Sequence, residues 1–240
     1  TTDGGDSWSG LFNLNTKENH YQMDTAQAEW LDWGRGENQA KTGWWVADVN
    51  INPFNSDEVM YGTGATIYST QNMTKIGTEP VTIAFDAYGL EETAVFKMLA
   101  PPSKDDSPQL YSIMGDLTGF AHKDVTQCPD DAHFMKNGKP TDLDVAFQNP
   151  NTAVYLSEEK TTTINFTQDG GATWETVKHK PDPATGGQVA MSADGSSTIW
   201  VPNSISGKPY VTTDLGKTWY YVEGLGFNAK IAADRVNPKV

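Results

Sequence analysis

One eight-residue pattern occurs three times in the chain and constrains its fold more than any other feature. The pattern reads Thr-x-Asp-x-Gly-x-Ser/Thr-Trp and occupies residues 1–8, 167–174 and 212–219. Aspartate accepts hydrogen bonds from exposed backbone N–H groups, and glycine adopts backbone conformations that are closed to other residues. The final tryptophan is expected to turn inward and pack. The pattern therefore predicts strand-connecting corners, with Asp3, Asp169 and Asp214 in structural rather than catalytic roles.

This pattern resembles the Asp box, which joins the third and fourth strands of β-propeller blades. Short β-branched and aromatic runs, separated by turn residues, recur between the boxes. We predict an all-β fold, a β-propeller with four-stranded blades and Asp-box corners, comprising about four blades and partial blades at both ends. The predicted segments are the end of a blade with an Asp box at 1–14, an aromatic loop insertion at 15–45, a blade at 46–88, a blade with a long loop at 93–140, blades with Asp boxes at 141–180 and 186–223, and the first strand of a further blade at 228–240.

The two ends of this arrangement are incomplete, so we expect the chain to be a portion of a larger propeller. Closure into a five-bladed ring is the alternative, but it would leave a gap and exposed strand edges. One predicted corner also departs from the pattern, because residues 69–77, STQNMTKIG, lack both the aspartate and the tryptophan of an Asp box. We expect this blade to hold its corner differently.

Four tryptophans crowd into the predicted loop at 15–45, namely Trp30, Trp33, Trp44 and Trp45. They could staple the loop to the propeller. Alternatively, they could form a platform for sugars, because the apolar face of a pyranose packs on an indole ring while its hydroxyls stay hydrogen-bonded at the rim.

A lone carboxylate stands between two glycines in GDLTGF, residues 115–120. Taken by itself, Asp116 in such a stretch is typical of a turn. Glu91 and Glu92 precede it by about 25 residues, and they would lie at the same rim if 93–100 and 109–116 are neighbouring strands. A like charge nearby raises the pKa of a carboxyl group, which keeps a general acid protonated near neutral pH.

Charge and composition exclude several functions. The 17 basic and 31 acidic residues give a formal charge of −14, which repels nucleic acid and anionic membrane surfaces and favours a neutral partner. No run of 18 apolar residues could span a membrane. The four histidines show no ligand spacing, and phosphate-binding and dinucleotide-binding motifs are absent. We therefore expect no metal, no cofactor, no nucleic acid and no membrane insertion.

The sequence favours a location outside the cell. The single cysteine, Cys128, rules out an internal disulfide and leaves the compartment open. Asn72 and Asn165 each begin an Asn-x-Thr sequon and are candidate glycosylation sites in a eukaryotic host. We expect a secreted, extracellular protein.

Several longer strings resemble glycoside hydrolase family 74, the xyloglucan-cleaving endoglucanases and reducing-end-specific cellobiohydrolases. In chain order these strings are WLDWG, GWW, INPFNSDEVMYGTGATIYST, GLEETAV, GDLTGF, TQDGGATW, MSADG and AADRVNPK. The resemblance runs over the whole chain. It implies two facing seven-bladed propellers with a glucan in the cleft between them, and cleavage of β-1,4-glucosidic bonds with inversion by two aspartates.

Carried onto this sequence, the resemblance makes Asp116 the general acid and places the base outside the chain, in the remaining blades. It implies a polysaccharide partner, xyloglucan or a related β-glucan, and a set of substrate-binding candidates: Trp30, Trp33, Trp44, Trp45, Glu91, Glu92, Phe120 and His122. A non-catalytic glucan-binding propeller or an inactive fragment is the alternative. A sialidase would share the Asp boxes but needs an arginine cluster, whereas this chain has only Arg35 and Arg235.

Overall fold

A computed structural model describes most of the chain. The described residues are 1, 3–11, 19–27, 42–43, 45–88, 94–102, 104, 106–115, 118–127, 129, 139–158, 161–181, 186–204 and 207–240. They divide into two compact units, Thr1–Glu92 and Thr93–Val240. The described part of the chain contains no candidate for a membrane-spanning helix.

The Thr1–Glu92 unit contains one five-stranded sheet. Its strands are β1 (Tyr21–Asp24), β2 (Asp48–Ile51), β3 (Val59–Gly62), β4 (Ile67–Thr70) and β5 (Val81–Phe85), with a 3-10 helix at Met73–Lys75. The sheet order is β1-β5-β4-β3-β2. Alternate residues of β5 are buried, which is the period-two pattern of a strand with one covered face. Its three buried side chains pack with Tyr21 and Tyr68.

Strand β1 corrects the prediction that residues 15–45 are loop throughout. It pairs in parallel with β5, from Tyr21 opposite Val81 to Asp24 opposite Ala84. Tyr21 is buried, and Met23 packs against the same apolar cluster. The glycines at 34, 36 and 43 favoured a loop, but they all lie after the strand. A strand of four residues with two inward side chains can form here because β5 supplies the partners for its backbone hydrogen bonds.

The Thr93–Val240 unit contains three consecutive antiparallel sheets. The first is β6 (Val95–Leu99), β7 (Leu110–Met114) and β8 (Thr118–His122). The second is β9 (Lys139–Val145), β10 (Ala153–Glu158), β11 (Thr162–Thr167) and β12 (Glu175–Thr176). The third is β13 (Gln188–Met191), β14 (Thr198–Val201), β15 (Tyr210–Thr212) and β16 (Tyr220–Tyr221). In each sheet, strands adjacent in sequence are adjacent in space.

Apolar clusters join each of these sheets to the next. Tyr111 and Ile113 of β7 pack with Leu143 and Val145 of β9. Val154 and Leu156 of β10 and Phe166 of β11 pack with Met191 and with Trp200, which is fully buried. Full burial of a valine, leucine, phenylalanine or methionine side chain stabilises by about 1.5–3 kcal/mol. The core therefore lies between the faces of successive sheets.

Two buried aspartates on β9 also tie neighbouring sheets together. Asp142 accepts hydrogen bonds from Lys97 Nζ at 2.7 Å and from Val189 N at 2.8 Å. Asp144 accepts from Arg235 Nη1 at 2.8 Å and from Met191 N at 2.7 Å. Each carboxylate thus pairs with one cation and with one backbone N–H of β13, which satisfies a charge that would be costly to bury alone.

The segment 228–240 corrects a second prediction, because it forms turns and no ladder with any described strand. Asp234 N donates to Val240 O at 2.9 Å, and the Asp234 carboxylate accepts from the N–H groups of Val236 and Asn237. A strand needs a neighbour to satisfy its backbone groups. Here local turn bonds satisfy several of the backbone groups, and the Arg235 side chain ties the segment to Asp144.

The three Asp boxes share one hydrogen-bond network. In each box the aspartate accepts from the threonine hydroxyl before it and from the N–H and hydroxyl of the Ser or Thr four residues later, and the tryptophan indole N–H donates to the glycine carbonyl at 3.1 Å. Trp174 packs edge-on against Tyr155, and Trp219 against Trp200. Trp8 is 78% exposed, so the prediction of inward packing is wrong for this box.

The corner without an Asp box is held by residues from two places in the sequence. Thr70 Oγ1 donates to Asn72 Oδ1 at 3.0 Å, as threonine does to aspartate in a box. The contacts that a box aspartate makes to the later Ser or Thr are made here by Asp57. Its side chain accepts from Thr74 N and from the Thr74 hydroxyl. Met73 packs against the apolar cluster of this unit. A neighbouring turn therefore supplies the missing carboxylate.

Stability should fall in acid partly because the box aspartates become protonated. Hydrogen bonds from Thr218 hold the pKa of Asp214 at about 2, and those from Ser7 and Thr1 lower the pKa of Asp3. A depressed pKa in the folded state contributes stability above the unfolded value of about 3.9, and this contribution is lost as the pH falls towards about 2. We expect Asp214→Asn to lower the melting temperature at pH 7 and to flatten its decline between about pH 4 and 2. Parallel melting curves for the two proteins across this range would contradict this explanation.

Candidate active site

The GDLTGF motif lies on the β7–β8 hairpin of the Thr93–Val240 unit. Met114 pairs with Thr118 in the last described rung of the ladder, so residues 115–117 connect the two strands. Asp116 itself lies outside the described residues. Tyr111 and Ile113 of β7 are fully buried, which anchors the hairpin in the core.

Gly115 and Thr118, the described residues on either side of Asp116 and Leu117, both have distinctive local geometry. Gly115 N donates to Ala94 O at 2.9 Å. A Cβ atom on Gly115 would lie 3.1 Å from the Phe96 ring and 3.4 Å from Ala94 Cβ, so this position has little room for a side chain. On the other side, Thr118 adopts a φ of 64°, in the left-handed region.

Glu91 and Glu92 also lie outside the described residues, and their proximity to Asp116 stays a prediction. The strand pairing that the prediction assumes is present, since Val95 of β6 pairs with Met114 of β7 in an antiparallel ladder. The start of β6 and Gly115 therefore lie at the same end of this sheet.

Phe120 and His122 lie within the hairpin rather than at its tip. Phe120 is only 7% exposed, and its ring packs 5.7 Å from the His122 ring, which argues against direct contact between Phe120 and substrate. His122 is half-buried, and a ring nitrogen lies 3.1 Å from Ser112 Oγ. Burial lowers the pKa of His122, so the ring is neutral at pH 7.

The predicted aromatic platform belongs to the Thr1–Glu92 unit. Trp30, Trp33 and Trp44 lie outside the described residues. Trp45 is 81% exposed and has a φ of 54°. Because β1 is parallel to β5 and β2 is antiparallel to it, the chain leaves β1 and enters β2 at the same end of the sheet. The segment that carries the four tryptophans therefore starts and finishes at this end of the sheet.

Tyr88 is a candidate substrate-binding residue that the sequence analysis did not identify. It follows β5 at the same end of the sheet as Trp45 and is 86% exposed. The sequence did hold a signal for this residue, because Tyr88 directly precedes the GLEETAV string.

Among the residues that the structure describes, no three His, Cys, Asp or Glu side chains come together as a metal site.

Comparison with known proteins gives consistent relatives over the whole chain. A xyloglucanase from Acetivibrio thermocellus, Xgh74A, is 38% identical over 100% of this chain, and a xyloglucanase from a Paenibacillus species is 37% identical over 98%. The crystal structure of the GH74 xyloglucanase from Xanthomonas campestris matches 98% of the chain with a TM-score of 0.79 and 25% identity. The chain belongs to glycoside hydrolase family 74. No family model matches it.

Membership of family 74 confirms the predicted β-propeller fold class. The chain spans 29% of the length of the Acetivibrio relative, 24% of the Paenibacillus relative and 32% of the Xanthomonas structure. The chain therefore corresponds to about a quarter to a third of each of these proteins.

Both sequons of this family 74 chain begin with a hydrogen-bonded asparagine, and Asn165 is the more buried of the two. Asn165 is 3% exposed, and its amide donates to Thr163 Oγ1 and accepts from Thr176 Oγ1. Asn72 accepts from Thr70 Oγ1 and Thr82 N and donates to Pro80 O. Both amides serve the fold, which disfavours glycosylation at Asn165 in particular. Use of the sequons stays a prediction.

Proposed function

We propose that the protein containing this chain hydrolyses β-1,4-glucosidic bonds of xyloglucan, with Asp116 as the general acid. The observation that carries the proposal is the 38% identity to a xyloglucanase over the whole chain, together with the GDLTGF motif on a core-anchored hairpin. The formal charge of −14 suits a neutral polysaccharide better than an anionic polymer.

The proposed reaction inverts the anomeric carbon. The Asp116 carboxyl donates its proton to the glycosidic oxygen as the bond between that oxygen and C1 breaks. A water molecule attacks C1 from the opposite face and gives its proton to a second carboxylate. In inverting enzymes the two carboxyl groups stand about 6.5–9.5 Å apart, which leaves room for the water. We propose that the remaining blades of the protein supply this base.

Two further features have proposed supporting roles. Glu91 and Glu92 would raise the pKa of Asp116 if they lie near it, which keeps the acid protonated. The exposed indole of Trp45 would stack on the apolar face of a sugar ring, with Trp30, Trp33 and Trp44 extending this platform. A polysaccharide of this kind lies outside the cell, so we also propose that the protein is secreted.

The experiment that tests the function uses the intact protein and pure xyloglucan. We expect reducing ends to form from xyloglucan, and the first product seen by proton NMR to be the α-anomer. A first product with the β-anomer would overturn the inverting mechanism. Weak binding of xyloglucan without product at any pH would instead favour the glucan-binding alternative.

A further inference from the structure

The first and second sheets of the Thr93–Val240 unit each carry a bulge near the start of their first strand. In β6, the residues on either side of Phe96 pair with consecutive residues of β7, which leaves Phe96 as an extra residue in the ladder. In β9, Thr141 is left out of the ladder with β10 in the same way. Bulges redirect side chains away from the regular alternation of a strand, and they are common next to functional sites.

The first strands of the three sheets in this unit begin side by side. Val189 N and Met191 N of β13 bond in that order to Asp142 and Asp144 of β9, so these two strands run in the same direction. Lys97, near the start of β6, likewise reaches Asp142, near the start of β9. We call this end of the three sheets the rim, and both bulges lie near it.

Phe96 and Lys139 meet at the rim. Lys139 Nζ lies over the Phe96 ring, 5.0 Å from its centroid, where a cation is attracted to the ring face. The Cζ atom of the same ring lies against Gly115, because a Cβ atom added there would stand 3.1 Å from it. Phe96 is still 44% exposed, and Lys139 is exposed. The pair therefore presents an aromatic ring and an ammonium group to solvent beside the first residue of the GDLTGF motif.

A carboxylate stands next to this pair. Glu158 is the last residue of β10 and lies directly opposite Lys139 in the ladder, so their Cβ atoms are about 4.5–5.5 Å apart. Glu158 is partly buried, and its carboxylate lies against Gly186, where an added Cβ atom would stand 2.6 Å from Glu158 Oε1. Gly186 is held in turn by the hydrogen bond that its N–H donates to Thr162 Oγ1. Gly186 thus leaves the room at the rim that this carboxylate occupies.

We propose that Phe96, Lys139 and Glu158 form a sugar-binding subsite at the rim, which holds one pyranose ring of a neutral glucan. The inference rests on the proposed function. The exposed part of the Phe96 ring offers apolar contact to a sugar face, the ammonium group donates hydrogen bonds to hydroxyls, and the carboxylate accepts them. One positive and one negative charge leave the subsite without net charge, which suits a neutral polysaccharide.

Binding to the intact protein tests this subsite. The probe is a xyloglucan oligosaccharide whose glucosidic oxygens are replaced by sulfur, so that it binds without being cleaved, and calorimetry gives the Kd. We expect Lys139→Met and Glu158→Ala each to raise the Kd by about threefold to tenfold, the usual effect of losing one hydrogen bond. Phe96→Leu keeps apolar bulk against Gly115 but removes the flat ring, and we expect a rise of about threefold or more.

Lys217→Met is the matched control for Lys139→Met. Lys217 is exposed in the same unit but lies in the Asp-box corner of residues 212–219, so this variant should bind the oligosaccharide as the wild type does. All four variants should melt close to the wild-type temperature, because none of the replaced side chains is fully buried.

Three results would overturn the subsite. They are a wild-type protein that does not bind the oligosaccharide, a Lys139→Met variant that binds it as tightly as the wild type, and losses of binding that appear only together with a lower melting temperature. Failure of the proposed function is recognised separately, because the wild type would then release no reducing ends from xyloglucan, whether or not the rim variants weaken binding.

Discussion

Asp116→Asn in the intact enzyme is expected to lower kcat on xyloglucan by about 1,000-fold, within the usual range for loss of a general acid. This corresponds to about 4 kcal/mol of transition-state stabilisation. The amide has nearly the same shape as the carboxyl but cannot donate an acidic proton to the departing oxygen. Because the substrate contacts remain, KM should change by less than about threefold.

Asp169→Asn provides the matched control for this substitution. Asp169 carries the same side chain in the same unit, but its carboxylate holds an Asp-box corner through Thr167 and Thr173. We expect this variant to lower the melting temperature while keeping kcat within about threefold. If Asp116→Asn keeps a tenth or more of wild-type kcat, the acid assignment is contradicted.

Gly187→Ala is expected to cause the largest loss of stability, about 4 kcal/mol or more in the Thr93–Val240 unit. A Cβ atom on Gly187 would lie 2.0 Å from Val201 O and 2.8 Å from Pro202 Cα, so backbone atoms rather than side chains would have to move. The residue has a φ of +105°, which adds a left-handed penalty for alanine. It also directly precedes Gln188, which pairs with Val201 at the edge of the β13–β14 ladder.

Gly224→Ala is the control for the conformational part of this loss. Gly224 lies in the same unit with a φ of +78°, but no atom lies within 4 Å of its added Cβ. We expect this variant to lose only about 1–2 kcal/mol. Calorimetry of the two variants, with hydrogen exchange of the β13 and β14 peptides, measures the difference. Equal losses would show that the close approach of Val201 does not matter.

The parts of the fold that local patterns encode could be predicted from the sequence. Strands β2 to β5 coincide with the short β-branched and aromatic runs of the sequence, and the Asp boxes specify their own hydrogen bonds within eight residues. Strand β1 could not be predicted in this way, because its partner β5 lies about 60 residues later and the pairing is parallel. The Asp57 contact to Thr74 spans 17 residues and replaces a local motif, so no pattern marks it.

The site was predictable as a motif but not as geometry. The sequence singles out Asp116 and Trp45, yet it gives no reason to expect Thr118, rather than Gly119, in the left-handed region. The burial of Asp144 could not be predicted from the sequence for a similar reason. A strand with two acids suggests an exposed face, and the partner that permits burial, Arg235, lies 91 residues away. Contacts of this range depend on how the sheets pack.

The most direct test of the account compares two substrates in the Asp116→Asn enzyme. A xyloglucan oligosaccharide with a dinitrophenyl leaving group needs no proton to depart, whereas the natural glycosidic oxygen does. If Asp116 is the general acid, the variant should lose about 1,000-fold in kcat on xyloglucan but less than about tenfold on the activated substrate. An equally large loss on both substrates would contradict the acid role and show that Asp116 acts in another way.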